Sequence, residues 1–231
     1  MSKLVKAKSL AAHNGTKLLV YGPPGTAKTP IIATAPRPVI LSAETGRRSM
    51  FAFPDNIMAW EANNAAQLNE FLAWSTKSGE IKNYDTICID SMSQVGEHYL
   101  KAANLKTTHG LQAHGFMLED TKKFFDTFNQ MLGKNVYFIA KLSYKELGET
   151  SKRVPNFPGN ALAAYIPHEV DECYYADRVY VPGGPMHPVL AWQTFATPDT
   201  HARSRNAHIV APFEQPNLAA LFNKIEVGSR T

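Results

Sequence analysis

Apolar and polar positions alternate between two regimes along this chain. Short, nearly continuous apolar runs read as strands buried on both faces: KLLVYG (17–22), PVILSAE (38–44), YDTICIDS (84–91) and NVYFIAKLS (135–143). NIMAW (56–60) is a further strand candidate. Between them lie stretches with helical spacing. TPIIATA predicts a helix after the first strand, and AAQLNEFLAWSTK predicts another with Leu68, Phe71, Leu72 and Trp74 on one face and Asn63 or Asn64 as cap. Residues 93–133 read as mostly helical with a softer middle at KTTHGLQAHG, and Phe124, Phe125, Phe128, Met131 and Leu132 form an apolar stripe. SYKELGETSKRVPNFPGN is polar and reads as a flexible segment. RVYV, PGGPMH and PVLAWQTFAT read as a β-hairpin, and PNLAALFNKI as a short closing helix. Strands alternating with helices predict an α/β domain with a mainly parallel β-sheet flanked by helices and a C-terminal β-hairpin. Ligands in such sheets bind at the carboxyl ends of the strands.

The chain has 231 residues, enough for one domain, with a core of about residues 17–209, an N-terminal basic extension (1–16) and a C-terminal helix (about 216–226). Composition is that of an ordinary globular protein, 44% hydrophobic and 19% charged. No apolar run is long enough to span a bilayer, and MSKLVKAKSL lacks the apolar core of a secretion signal. With only Cys88 and Cys173, the expectation is a reducing, cytoplasmic compartment. The net charge of +4 decides little by itself. Its distribution says more. No acidic residue precedes Glu44, whereas Lys3, Lys6, Lys8, Lys17, Lys28 and Arg37 do, which suits a polyanionic partner.

The chemistry concentrates in YGPPGTAKTP (21–30), a near match to the phosphate-loop pattern G-x-x-x-x-G-K-[ST]. Gly22, Pro23, Pro24, Gly25, Thr26, Ala27, Lys28 and Thr29 form the candidate nucleotide cradle. Gly22 and Gly25 permit the tight turn that aims backbone N–H groups at phosphate, Lys28 can reach the β- and γ-phosphates, and Thr29 can hold Mg²⁺. Ala27 stands where the pattern has glycine; if the backbone there is left-handed, alanine costs about 1 kcal/mol. Pro30 falls where a helix's first turn tolerates a missing N–H. Asp90, at the end of an apolar strand, is the candidate second metal ligand, although a carboxylate there also suits a helix N-cap.

The loop resembles that of the minichromosome-maintenance helicases, which commonly carry alanine before the lysine. Glu44, in Leu41-Ser42-Ala43-Glu44, resembles the catalytic glutamate that ends the second strand in RecA-like recombinases and ATPases; AAA+ enzymes usually place it beside the metal-binding aspartate, where this chain has Ser91. The same resemblance implies a sensor role at the end of NVYFIAKLS, for Lys141 or Ser143, and a mobile DNA-contacting loop after it, with Lys145, Lys152 and Arg153. In TFATPDTHARSRNAHI, Arg203 and Arg205 resemble the Lys-x-Arg signature that reaches a neighbouring subunit's γ-phosphate. Lys106 and His109 are weaker DNA-contact candidates. The order of these parts resembles phage nucleotide-binding proteins built on a bare RecA-like P-loop NTPase core, some of them single-strand annealing recombinases. That resemblance implies ATP and Mg²⁺ as cofactors, single-stranded DNA as partner, a ring or filament of identical subunits, and in some cases a single-strand-binding protein alongside. An ATP-switched accessory factor, such as a helicase loader, is the alternative.

Overall fold

The computed structural model describes residues 14–180 and 186–229, so the N-terminal extension up to residue 13 and the tip of the last hairpin lie outside the described residues. Among the described residues ten strands form one sheet: β1 (Lys17–Gly22), β2 (Pro38–Ser42), β3 (Met58–Glu61), β4 (Thr86–Asp90), β5 (Asn135–Leu147), β6 (Thr150–Asn156), β7 (Glu172–Val179), β8 (Val189–Gln193), β9 (Arg203–Ser204) and β10 (Phe213–Glu214). The order is β10-β8-β7-β1-β5-β4-β2-β3, with β6 added to β5 and β9 to β7. The neighbours β7-β1-β5-β4-β2-β3 run parallel, and the antiparallel pairs are β5–β6, β7–β8, β7–β9 and β8–β10. This is the α/β architecture with a mainly parallel sheet that the apolar runs predict.

Alternation along the strands divides the core into two layers. Leu19, Tyr21, Val39, Leu41, Ile87, Ile89, Val136 and Phe138 face one side, where α1 (Ala65–Lys77), α2 (Met92–Lys106), α3 (Gly110–Asn129) and α4 (Asn160–Glu169) pack. Leu18, Val20, Ile40, Cys88, Tyr137 and Ile139 face the other, under α5 (Leu218–Gly228) and a short turn at Pro30–Thr34. The stripe predicted on α3 is core at Phe124, Phe125 and Phe128, which are fully buried, but the helix ends at Asn129, so Met131 and Leu132 lie beyond it and Leu132 is exposed. Among the described residues no helix is long and apolar enough to cross a membrane.

Several expectations are corrected. TPIIATA does not start an α-helix. It makes a single 3₁₀ segment, Pro30–Thr34, because Pro36 and Pro38 deny the following residues a helical continuation. The softer middle of 93–133 is confined to the break between Lys106 and Gly110; GLQAHG is helical. The third strand starts later than predicted, at Met58. SYKELGETSKRVPNFPGN is not a flexible loop: β5 runs on to Leu147 and β6 returns from Thr150, paired in register from Lys141↔Asn156 to Leu147↔Thr150. A polar sequence with β-compatible residues on both arms and Gly148 at φ +67 closes a hairpin without needing an apolar face.

Candidate functional site

The phosphate loop hangs from the carboxyl end of β1, the buried centre of the sheet. Gly25 (φ +81) and Ala27 (φ +52) both adopt left-handed backbone, so Ala27 carries the strain that its replacement of glycine implies. Gly22 is required for a different reason. A β-carbon there would lie 2.2 Å from the Ala176 carbonyl oxygen, because β1 and β7 approach closely at that point. A β-carbon on Gly25 meets nothing within 4 Å, so the loop backbone is open on that side.

Lys28 folds into its own loop. Its Nζ donates to the carbonyls of Gly22 (2.8 Å) and Pro23 (2.7 Å) and to Thr26 Oγ1 (3.1 Å). Burial lowers its pKa, opposed by the carboxylates of Asp90 and Glu44. Thr26 donates to the Pro23 carbonyl at 2.8 Å. The Lys28 carbonyl in turn accepts from Tyr137 on β5. Because the segment after the loop is one 3₁₀ turn, a helix dipole contributes less here than a full helix would.

Asp90 ends β4, beside β2, and Ser42 is its register partner. Its Oδ2 accepts from Thr29 Oγ1 at 2.6 Å. Burial pushes its carboxyl up to about 6, the Thr29 hydrogen bond opposes this, the Glu44 charge adds to it and Lys28 opposes it. Asp90 does not cap the next helix: Ser91 does, accepting from the Gln94 N–H at 3.3 Å. The Ser91 hydroxyl also donates to Glu44 Oε1 at 2.5 Å, which fixes that carboxylate two residues beyond the end of β2. Ser91 stands where the AAA+ pattern places a glutamate; here it holds the glutamate of the adjacent strand.

Lys141 lies further along the same rim. Its ammonium donates to Gln94 Oε1 at 2.9 Å and pairs loosely with Glu97 at 3.5 Å. Ser93, buried at the start of α2, accepts from the Lys141 N–H (2.9 Å) and donates to the Asn156 carbonyl (2.6 Å), pinning the point where β5 and β6 leave the sheet. These groups enclose a cleft of about 750 Å³, lined by Gly22, Pro24 to Thr29, Glu44, Asp90 and Lys141. Sequence reasoning missed Ser49 and Tyr144, which also line it, and the anchoring roles of Ser91, Ser93 and Gln94. No local pattern marks them; adjacency to Asp90 was the one available signal.

The cleft fits a nucleoside triphosphate with a divalent cation. An open glycine-bearing backbone faces an amine held by neutral carbonyls, and a hydroxyl–carboxyl pair presents hard oxygen donors beside it. A buried carboxyl whose pKa is raised gains from a cation that restores its charged form. When bound, the cation would offset phosphate charge. Thr29 and Asp90 would hold it, Lys28 would exchange loop carbonyls for phosphate oxygens, and Glu44 lines the same cleft.

The remaining predicted residues are elsewhere. Arg203 is the first residue of β9 and Arg205 follows its last; β9 pairs with β7 at Glu172 and Cys173, level with Leu18 and Leu19 and away from the loop end of β1. Arg203 donates to the carbonyls of Pro167 and His168 at the end of α4; Arg205 donates to His168 and pairs with Asp171 at 3.3 Å. Lys145 and Lys152 are cross-strand partners on the β5–β6 hairpin. Arg153 is engaged by Asp199 and by Thr200 Oγ1 (3.1 Å), and stacks over Tyr175. Lys106 sits 4.0 Å from Asp120, and His109 is the residue preceding α3.

Comparison with known proteins shows a family and gives a likeness of fold. A family model described as an AAA domain matches residues 14–205. No curated protein matches the sequence. Among solved structures, a KaiC-like protein from the hyperthermophilic archaeon Pyrococcus horikoshii OT3 is 14% identical over 78% of this chain and 77% of its own, with a TM-score of 0.43. A prototypical ATPase from the type III secretion system of pathogenic bacteria is 10% identical over 92% of this chain, with a TM-score of 0.50; this chain spans 65% of that one. With the family match covering most of its length and the loop, the Thr29–Asp90 pair and Glu44 gathered at the carboxyl ends of the strands, the chain belongs to the AAA domain family, as a nucleotide-binding P-loop ATPase with a mainly parallel α/β sheet.

Proposed function

We propose that the chain is a Mg-ATP-dependent ATPase whose nucleotide state governs binding of single-stranded DNA, in the manner of a phage-type recombination or annealing protein, with ATP at the boundaries between identical subunits. The observation that carries the ATPase part is the Ser91–Glu44 hydrogen bond at 2.5 Å, which holds a carboxylate beside the Thr29–Asp90 pair. Glu44 then serves as the base that orients and deprotonates water. Lys28 and the loop N–H groups offset the charge developing on the transferred phosphoryl group. Arg203 and Arg205 lie outside their own cleft, so any part they take in hydrolysis is in a neighbour's, which makes turnover depend on assembly.

The DNA part rests on the β5–β6 hairpin. It grows from the rim of the cleft, and Lys145 and Lys152 face each other across it. Two cations on a projecting arm suit phosphate contact without sequence readout. Against this, Arg153 is engaged by Asp199, and Glu146 and Glu149 dilute the charge. That observation favours the second reading, an ATP-switched accessory factor whose arm contacts a protein.

Phosphate release from ATP, with and without single-stranded DNA, tests the proposal, with Glu44→Gln as control. Turnover that DNA stimulates and that Glu44→Gln reduces by about 10²–10⁴-fold, with nucleotide affinity retained, is the expected result. Turnover without any DNA response or DNA affinity supports the accessory factor. Nucleotide binding without turnover overturns the role given to Glu44.

A further inference from the structure

One buried hydroxyl joins the strand that carries the phosphate loop to the β5–β6 arm and to the segment before Arg203. Tyr21 is the last residue before Gly22 of the phosphate loop, and its ring is wholly buried, packed on Tyr175 at 5.3 Å between centroids. Its hydroxyl lies 3.0 Å from the Arg153 carbonyl on β6 and within hydrogen-bond distance of the His201 carbonyl. Arg153 follows Lys152 of the arm; His201 lies two residues before Arg203.

The two carbonyls belong to one assembly. The His201 N–H donates to the Arg153 carbonyl (2.9 Å), the Arg153 N–H donates to the Asp199 carbonyl (2.7 Å), and Arg153 and Thr200 form a parallel bridge. The Arg153 guanidinium closes the same contact from outside, on Asp199 and Thr200. The segment 197–201 is thus laid along β6, and Tyr21 is its tie to β1. A phenol has one proton for two carbonyl acceptors, so the tie can favour either partner at small cost.

The other end of the connection is Lys28. In this structure its ammonium holds the carbonyls of Gly22 and Pro23, and Gly22 is peptide-bonded to Tyr21. A phosphate that draws Lys28 away frees the Gly22 carbonyl. The close approach of Gly22 to Ala176 leaves the strand end little slack to absorb the change locally. We propose that Tyr21 is a positioning residue that couples occupancy of the phosphate loop to the β5–β6 arm and to the segment 197–205 that ends in the arginine pair. This rests on the reading of the loop as a nucleotide site, and on no assumption about DNA.

Hydrogen–deuterium exchange with and without a magnesium-bound, non-hydrolysable ATP analogue tests it, alongside direct measurement of analogue binding. In the wild-type chain the analogue is expected to protect amides of 22–29 and to change exchange in 141–156 and 197–205 by about fivefold, the shift that one net hydrogen bond supports. In Tyr21→Phe the analogue binds and protects 22–29, while the response of 141–156 and 197–205 disappears. A wild-type-like response in Tyr21→Phe overturns the proposal, as does a wild-type arm that ignores the analogue while the loop is protected. Failure of the analogue to bind or protect the loop refutes the nucleotide site itself and the coupling with it. Asp199→Asn, which loosens the assembly from the surface, provides the same test should Tyr21→Phe not fold: a weakened distal response is expected, and an undiminished one overturns the proposal.

Discussion

Replacing Gly22 by alanine adds one methyl group where β1 meets β7. The new β-carbon would stand 2.2 Å from the Ala176 oxygen, 3.2 Å from its carbonyl carbon and 3.3 Å from its β-carbon. The first distance is short by about 1 Å of ordinary van der Waals contact. The obstructing atom is backbone in a paired strand, so relief requires β1 and β7 to part near the Tyr21–Tyr175 pair. Overpacking of this kind costs about 1–3 kcal/mol, and a weakened ladder hydrogen bond adds about 1 kcal/mol. A total near 3 kcal/mol is expected, lowering Tm by roughly 6–12 °C at about 2–4 °C per kcal/mol for a chain of this size. Urea and thermal unfolding measure the change. Gly25→Ala separates steric from conformational cost, because its β-carbon meets open space while its φ of +81 still penalises alanine, by about 1 kcal/mol. Gly22→Ala should therefore be the more damaging by about 2 kcal/mol. If the two variants lose the same stability, or Gly22→Ala loses less than about 0.5 kcal/mol, close packing of β1 on β7 is not what requires glycine there.

Other consequences are equally direct. Ser93→Ala leaves the Asn156 carbonyl and the Lys141 N–H without their buried partner, and should destabilise by about 2 kcal/mol in urea unfolding while increasing amide exchange where the arm leaves the sheet. Phe124→Ala opens a cavity in the layer under α3 and should cost about 3–5 kcal/mol by the same assay. His201 has its pKa lowered by burial, and further by Lys152, Arg203 and His168, so the unfolded chain binds its proton more readily. Its contribution to stability is present above the unfolded pKa and is lost as pH falls below about 6.5; in His201→Gln the drop in urea midpoint between neutral and mildly acidic pH should shrink. Lys28→Met should abolish analogue binding, read by titration calorimetry, while leaving the fold intact.

Much of the site was legible in the chain because each part is local. The loop, Glu44 and Asp90 announce themselves as residues at the ends of apolar runs, and strand ends in a parallel sheet converge on one edge. Ala27 could be questioned from the pattern, and the backbone answers with a left-handed φ. The strand between Thr86 and Asp90 and the buried faces of the helices follow from periodicity alone. Other features depend on which segments meet. Nothing in SYKELGETSKRVPNFPGN signals that its two halves pair, since a two-stranded arm in water needs complementary backbones more than an apolar pattern. Nothing near Arg153 in sequence names Asp199 as its partner, and nothing near Ser91 names Glu44. The sequence by itself determined the layered α/β core, because burial on one or two faces writes a period into the chain. Only the tertiary structure decided that Ser91 aims Glu44, that Arg203 and Arg205 are held at the end of α4 away from their own loop, and that Tyr21 reaches β6 and the distant His201; those are hydrogen bonds between residues 34 to 180 positions apart, set by packing that no local pattern encodes.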